Sequence, residues 1–274
     1  MLTEACAVDH PTATRVPLLG WVTRDTAAAW ERCVTEVRAA DGHLIIQLWH
    51  EGAVRAEGGD GPLGVHPSLS PSGLVSPLRP SGPAATLAEL AEIREAFVRG
   101  ARIAGNIGAS GVEVRAGHGY FLDQLLRAAT NRRTDGYPGG SIVDRARYPA
   151  EIVRAIHDAV SDDLVVSFRF SRWKEVDSLA RVVESPEELA TMLHLLEDAG
   201  VDLFHASARR LWIPEWPGSD LGIAGWAKSL PNVPVVAVGS VGLDGDVMDS
   251  LRGAEDRLTG AASLVELARR FDNG

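Results

Sequence analysis

Short apolar runs alternate with helix-patterned segments along most of this chain, and that alternation limits the fold more than any other feature. The runs are "HLIIQLW" (His43 to Trp49), "GVEV" (Gly111 to Val114), "LVVSFRF" (Leu164 to Phe170), "VDLFHA" (Val201 to Ala206) and "VPVVAVG" (Val233 to Gly239). Each has the length and apolar character of a strand in a parallel sheet covered by helices. Helix punctuation lies between them. Thr86 and Glu89 form a capping box ahead of Leu90, Ile93 and Phe97. Ser185, Pro186 and Glu188 repeat that signal, with Gly200 just past the end. Pro149 reads as the opening of "PAEIVRAIHDAV". Trp30, Val34 and Val37 line an earlier helix, with Cys33 packed in its middle.

Strand–helix–strand repetition predicts a parallel α/β fold. Long excursions after the strands favour a (β/α)8 barrel of the TIM type, with a doubly wound open sheet as the alternative. The Gly-, Pro- and Ser-rich stretch from Glu57 to Pro83 reads as an elaborated loop without regular structure. No second domain, repeat or low-complexity tract interrupts the pattern, so residues 1–274 are expected to form a single domain.

Of the 274 residues, 45% are hydrophobic and 23% charged, with a formal net charge of -10. An acidic chain without basic clusters is a poor partner for nucleic acid or an anionic membrane. No apolar run approaches the ~18 residues of a membrane span. Cys6 and Cys33 form neither a metal-binding spacing nor a disulfide framework. The N-terminus carries acids where a signal peptide carries bases, so a cytoplasmic protein is expected.

Sites on parallel barrels are built at the C-terminal ends of the strands. Gln47, His50, Arg115, His118, Tyr120, Arg169, His205, Ser207, Gly239 and Ser240 all fall there. Arg169 is the most telling, because an arginine inside an apolar strand needs an anionic or electron-rich partner. "VAVGSVG" ends a strand in glycines, which lets backbone N–H groups approach a phosphate. Together these residues suggest a cofactor site with a polar clamp and a tyrosine able to supply a proton. No dinucleotide-binding glycine fingerprint, P-loop, zinc motif or serine-hydrolase elbow is present.

"GVEVRAGHGYFLDQLLRAATNRRTDGYPGG" resembles the signature of the Old Yellow Enzyme family of FMN-dependent ene-reductases on TIM barrels. "IIQLWHEGAVR", "SLSPSGL", "FRFSRWK" and "VPVVAVGSVGLDGD" resemble further family segments in the same order, most like the 12-oxophytodienoate reductase-type members. The resemblance implies FMN as cofactor, NADH or NADPH as reductant and an electron-poor alkene, such as an α,β-unsaturated carbonyl compound, as substrate. It implies Gln47 at the flavin pyrimidine edge, Arg169 beside flavin N1 and O2, and Gly239 and Ser240 in the phosphate cradle. Tyr120 resembles the proton donor, and His118 the second member of the pair that grips the substrate carbonyl. The first member is usually histidine; here it is Arg115, which would either bias the site toward anions or be a drifted residue that points elsewhere.

Set against that family, the chain is expected to be an incomplete barrel that lacks strand 1, most of strand 2 and strand 8. Five whole strands remain by the runs above. Exposed barrel edges would favour self-association. The alternative to an active enzyme is a non-catalytic remnant with weak or no flavin binding.

Overall fold

The computed structural model describes residues 1–16, 20–55 and 66–240. Its centre is a seven-stranded parallel sheet formed by β1 (Leu2–Val8), β2 (Trp21–Val22), β3 (Ile45–Trp49), β6 (Gly111–His118), β7 (Val165–Lys174), β8 (Leu203–Ser207) and β9 (Val235–Val238). The spatial order is β2-β1-β3-β6-β7-β8-β9. From β1 onward, neighbours in the sheet follow the order of the chain. A doubly wound sheet would reverse direction at a switch point; this one does not, and it is the barrel progression. Among the described residues the two edge strands, β2 and β9, are not paired with each other.

The structure adds strands to the five read from the sequence. Leu2–Val8 forms a seven-residue strand paired with β3, with Cys6 opposite Leu48, beyond the five apolar runs. Its polar residues Thr3 and Glu4 hid it from a search for apolar runs. Within the Glu57–Pro83 stretch, β4 (Leu74–Ser76) and β5 (Arg79–Pro80) pair antiparallel. Pro77 presets the tight turn between them, so this part of the expected loop has regular structure.

Helices cover one face of the sheet. α1 (Ala27–Ala39) precedes β3, and α2 (Leu87–Asn106) links β3 to β6. α3 (Phe121–Leu126) and α4 (Ile142–His157) link β6 to β7, α5 (Pro186–Asp198) links β7 to β8, and α6 (Ile223–Ser229) links β8 to β9. The Thr86–Glu89 capping box starts α2 as expected. Ser185 caps α5 with Pro186 in the first turn. α4 begins earlier than Pro149 suggests, because Ser141 and Asp144 form a second capping box, and Pro149 lies inside the helix. In α1, Val34 is buried while Trp30 and Val37 pack against the core. Cys33 is exposed rather than packed; it sits one residue, about 100°, away from the buried stripe.

Period-two alternation sorts every central strand into two faces. Ile46, Leu48, Val112, Val114, Val166, Phe168, Phe170 and Phe204 point toward the helices and form one core with Phe97, Ile152 and Leu193. The opposite face carries Gln47, Glu113, Arg115, Ser167, Arg169 and His205. Register aligns Gln47, Glu113 and Ser167 in one row and Arg115, Arg169 and His205 in the next. The inner face of the sheet is therefore polar and charged.

Candidate active site

Glu113 is the hub of the inner face. It is fully buried and accepts from Gln47 Nε2 at 2.6 Å, Ser167 Oγ at 2.8 Å and His205 Nδ1 at 2.9 Å. Burial pushes its carboxyl up, but His205, Arg169 and the Ser167 hydroxyl outweigh that and hold it below its usual value. Its oxygens are engaged, so it gives no salt bridge to the arginines one row above. Among the described residues neither Arg115 nor Arg169 has an ion pair, and the Nε of each is buried with no hydrogen-bond partner.

Arg115 is held on three sides. One terminal nitrogen donates to Gln47 Oε1 at 2.9 Å and the other lies 3.2 Å from His118 Nδ1. The guanidinium stacks over the Tyr120 ring, 4.7 Å from its centroid. Tyr120 in turn meets Trp49 edge-on at 5.1 Å.

His118 closes β6 in a left-handed conformation, φ 63°, followed by Gly119 at φ 88°. A non-glycine residue seldom adopts such a backbone unless its surroundings enforce it. Here Ser171 Oγ accepts the His118 N–H at 2.6 Å, and Glu175 N donates to the His118 carbonyl at 3.0 Å. Asp123 accepts the Gly119 N–H and pairs with Lys174 at 2.7 Å, both side chains fully buried. The turn is thus fixed to the end of β7.

The imidazole of His118 is neutral. Burial, with Arg115, Arg169 and Lys174 nearby, lowers its pKa to about 2. Arginine only donates, so Nδ1 is the acceptor and Nε2 carries the proton. That proton goes to Ser207 Oγ at 2.8 Å. Burial raises the Tyr120 phenol above its ordinary value, so it stays protonated at neutral pH.

The sheet therefore brings together Gln47, Arg115, His118, Tyr120, Arg169, His205 and Ser207. His50 is separate. It is buried, accepts from Gly52 N at 3.1 Å, lies 3.0 Å from Thr12 Oγ1 and packs on Phe121, as a structural histidine does. Gly239 packs against the Ala208 carbonyl, which an added Cβ would meet at 2.3 Å, so the chain itself explains that glycine. Ser240 has φ 54° and donates to the Arg209 carbonyl at 2.9 Å. It is the last described residue, so the rest of the expected cradle in "GSVGLDGD" lies outside the described residues. Trp216 meets Trp226 edge-on and donates to the Glu184 carbonyl, which is packing. Sequence reasoning missed Glu113, Asp123 and Lys174. The charge argument applied to Arg169 applies equally to an acid inside "GVEV" and would have found Glu113.

The family model of the NADH:flavin oxidoreductase / NADH oxidase family matches residues 1–271. The chain belongs to that family. The Old Yellow Enzyme resemblance read from the motifs is thereby borne out, and FMN is the cofactor this family uses. Among curated relatives, an NADH oxidase of Thermoanaerobacter brockii is 37% identical over 164 residues, covering 57% of this chain and 24% of its own. A "probable inactive dehydrogenase easA" of Claviceps purpurea strain 20.1 is 28% identical over 216 residues, 78% of this chain and 56% of its own. The chain thus spans about a quarter and about half of these two relatives. The old yellow enzyme homologue of Zymomonas mobilis superposes with a TM-score of 0.75 at 19% identity, over 99% of this chain and 78% of its own, which shows the barrel fold.

The inner face fits a flavin. Five buried side-chain polar atoms of this cluster, on Trp49, Arg115, Arg169, Trp173 and His205, lack a hydrogen-bond partner among the described residues. Buried polar groups are otherwise almost always satisfied, so such a concentration marks where a polar ligand belongs. A pyrimidine edge carries both donors and acceptors, and the ring gathers negative charge on reduction. Arg169 and the Gln47 amide match that chemistry. Among the described residues no metal-binding cluster exists, and no helix is long and apolar enough to cross a membrane.

Proposed function

We propose that this chain is a cytoplasmic FMN-dependent oxidoreductase that uses NADH or NADPH to reduce the C=C bond of α,β-unsaturated carbonyl compounds. The observation that carries the reading is the orphaned Arg169 on a polar inner face, in register with Arg115, which stacks on a protonated Tyr120. The free cysteines fit a reducing compartment. Gln47 and Arg169 would hold the pyrimidine edge, with Gly239 and Ser240 on the phosphate side. When bound, FMN supplies hydride transfer from the nicotinamide to the β-carbon of the alkene.

The chain's own residues do the rest. Tyr120 holds a proton at its hydroxyl for the α-carbon. Donors aimed at the substrate oxygen stabilise the charge that develops there, each worth ~3 kcal/mol. The hydrogen-bond pattern divides the expected pair unequally. His118 accepts from Arg115 and donates to Ser207, so both its ring nitrogens are engaged. We assign the donor role to Arg115, with His118 as the group that positions it. Trp49 packs edge-on against Tyr120, and Trp173 packs against His118, 4.8 Å between ring centroids.

A second reading is a family member without turnover. It draws on Gln47, whose amide is engaged at both ends by Glu113 and Arg115, and on the relative named inactive. Tyr120→Phe on the FMN-loaded chain separates the two. Anaerobic stopped-flow should show flavin reduction by NAD(P)H at the unmodified rate. Reoxidation by an enone should slow by roughly 10²–10⁴-fold, the usual worth of a general acid. Absence of enone-dependent reoxidation in the unmodified chain supports the second reading.

A further inference from the structure

The inner face holds one more cation than a flavin would satisfy. Among the described residues its charged groups are Arg115, Arg169 and the buried carboxylate of Glu113, while Asp123 and Lys174 neutralise each other behind the turn. Glu113 already serves Gln47, Ser167 and His205. His118 is neutral. Glu175, the other acid whose field reaches Arg115, is exposed at the rim and makes no ion pair with it. If the flavin pyrimidine answers Arg169, Arg115 remains without an anion. A half-buried charge left unpaired is costly, and sequences rarely keep one without a partner.

Donor counting points the same way. A guanidinium has five N–H donors. Arg115 uses one on Gln47 and one on His118, which leaves three, including the partnerless Nε–H. A neutral carbonyl oxygen accepts about two hydrogen bonds, whereas a carboxylate offers about four acceptor sites and matches the planar fork. Stacking on Tyr120 and the bonds to Gln47 and His118 fix the plane of the guanidinium, so little side-chain freedom remains to be lost on binding.

We propose that Arg115 makes this a carboxylate site, in which the group gripped beside Tyr120 is the carboxylate of an α,β-unsaturated acid. The inference rests on the reading of the inner face as the substrate site. It goes beyond that reading by naming the substrate's charge and the residue that selects it. Arginine at this position also answers a chemical need. An unsaturated carboxylate is a poor electrophile because its anion resists further negative charge, and a fixed guanidinium offsets that charge where it builds.

The test is calorimetric titration with cinnamate and with cinnamamide, its neutral isostere, on the full chain with and without FMN. Cinnamate is expected to bind roughly ten- to hundredfold tighter, the usual worth of a charge-assisted contact. Arg115→Gln should bring the two ligands to parity, and Arg115→Lys, which keeps the charge but not the fork, should retain part of the preference. Equal affinities in the unmodified chain, binding of neither ligand, or a preference that survives Arg115→Gln would each overturn the inference. The unmodified comparison stands even where a variant fails to fold. A carboxylate preference without flavin-dependent reduction keeps this inference and removes the redox reading. Reduction of neutral enones with no carboxylate preference does the reverse.

Discussion

The two faces of the central sheet are built from the same strands and have opposite characters. Along β6, Val112 and Val114 face the helices while Glu113 and Arg115 face inward. Along β7, Phe168 and Phe170 face out while Ser167 and Arg169 face in. The outer face is apolar, closely packed and satisfied. The inner face is buried yet keeps five partnerless polar atoms among the described residues. Stability thus resides on one side of each strand and the capacity for chemistry on the other, one residue apart.

Substitutions should break that contrast in a graded way. Phe168→Ala on the outer face removes a fully buried ring, and should lower stability by about 3–5 kcal/mol; chemical denaturation reads this directly. An inner-face effect comes next, through protonation. The folded chain keeps His118 neutral down to pH about 2, whereas an unfolded histidine titrates near 6.5. Between those limits the unfolded chain binds the extra proton, so His118 alone makes stability fall as the pH drops below 6.5, by up to ~1.4 kcal/mol per pH unit, and burial of His50 and His10 adds falls of the same sign. Glu113, held below its ordinary value, adds a fall of the same sign at more acid pH. His118→Asn should make the decline in urea midpoint between pH 6.5 and 5 shallower; an unchanged slope would place the titration elsewhere.

Smaller still is Thr86→Ala, which removes the side chain that caps α2 and should cost about 1 kcal/mol without touching ligand binding. Smallest is Arg169→Leu. Removing a half-buried cation that makes no ion pair should change the stability of the flavin-free chain little, since only its field on Glu113 is lost. The same substitution should weaken FMN binding roughly ten- to hundredfold, as loss of a charge-assisted contact does. A large loss of stability there would mean that Arg169 belongs to the packing and not to a ligand site.

Much of this was legible in the sequence, for reasons that differ residue by residue. Runs such as "LVVSFRF" are legible because an outer face must be apolar, and Arg169 stood out because it violates that rule. Glu113 obeys the same logic and went unremarked beside the arginines. β1 was undercounted because its first half carries Thr3 and Glu4, leaving only the four small or branched residues Ala5 to Val8 as an apolar run. Pro149 misled because a proline can ride inside a helix that a better cap has already started. His50 followed a strand like the other candidates, and only its bonds to Thr12 and Gly52 reveal a structural role. The coupling of His118 to Arg115 was beyond reach, since it depends on a left-handed turn and a tautomer that Ser207, 89 residues away, helps to set.

The most direct test of the central claim, that the polar inner face is a flavin site, is the visible absorption spectrum of the purified chain titrated with FMN. The structure predicts a stoichiometric flavin band that shifts from that of free FMN, bleaches anaerobically with NADH or NADPH, and is weakened in Arg169→Leu. A chain that is folded by circular dichroism yet leaves the FMN spectrum unchanged would contradict it.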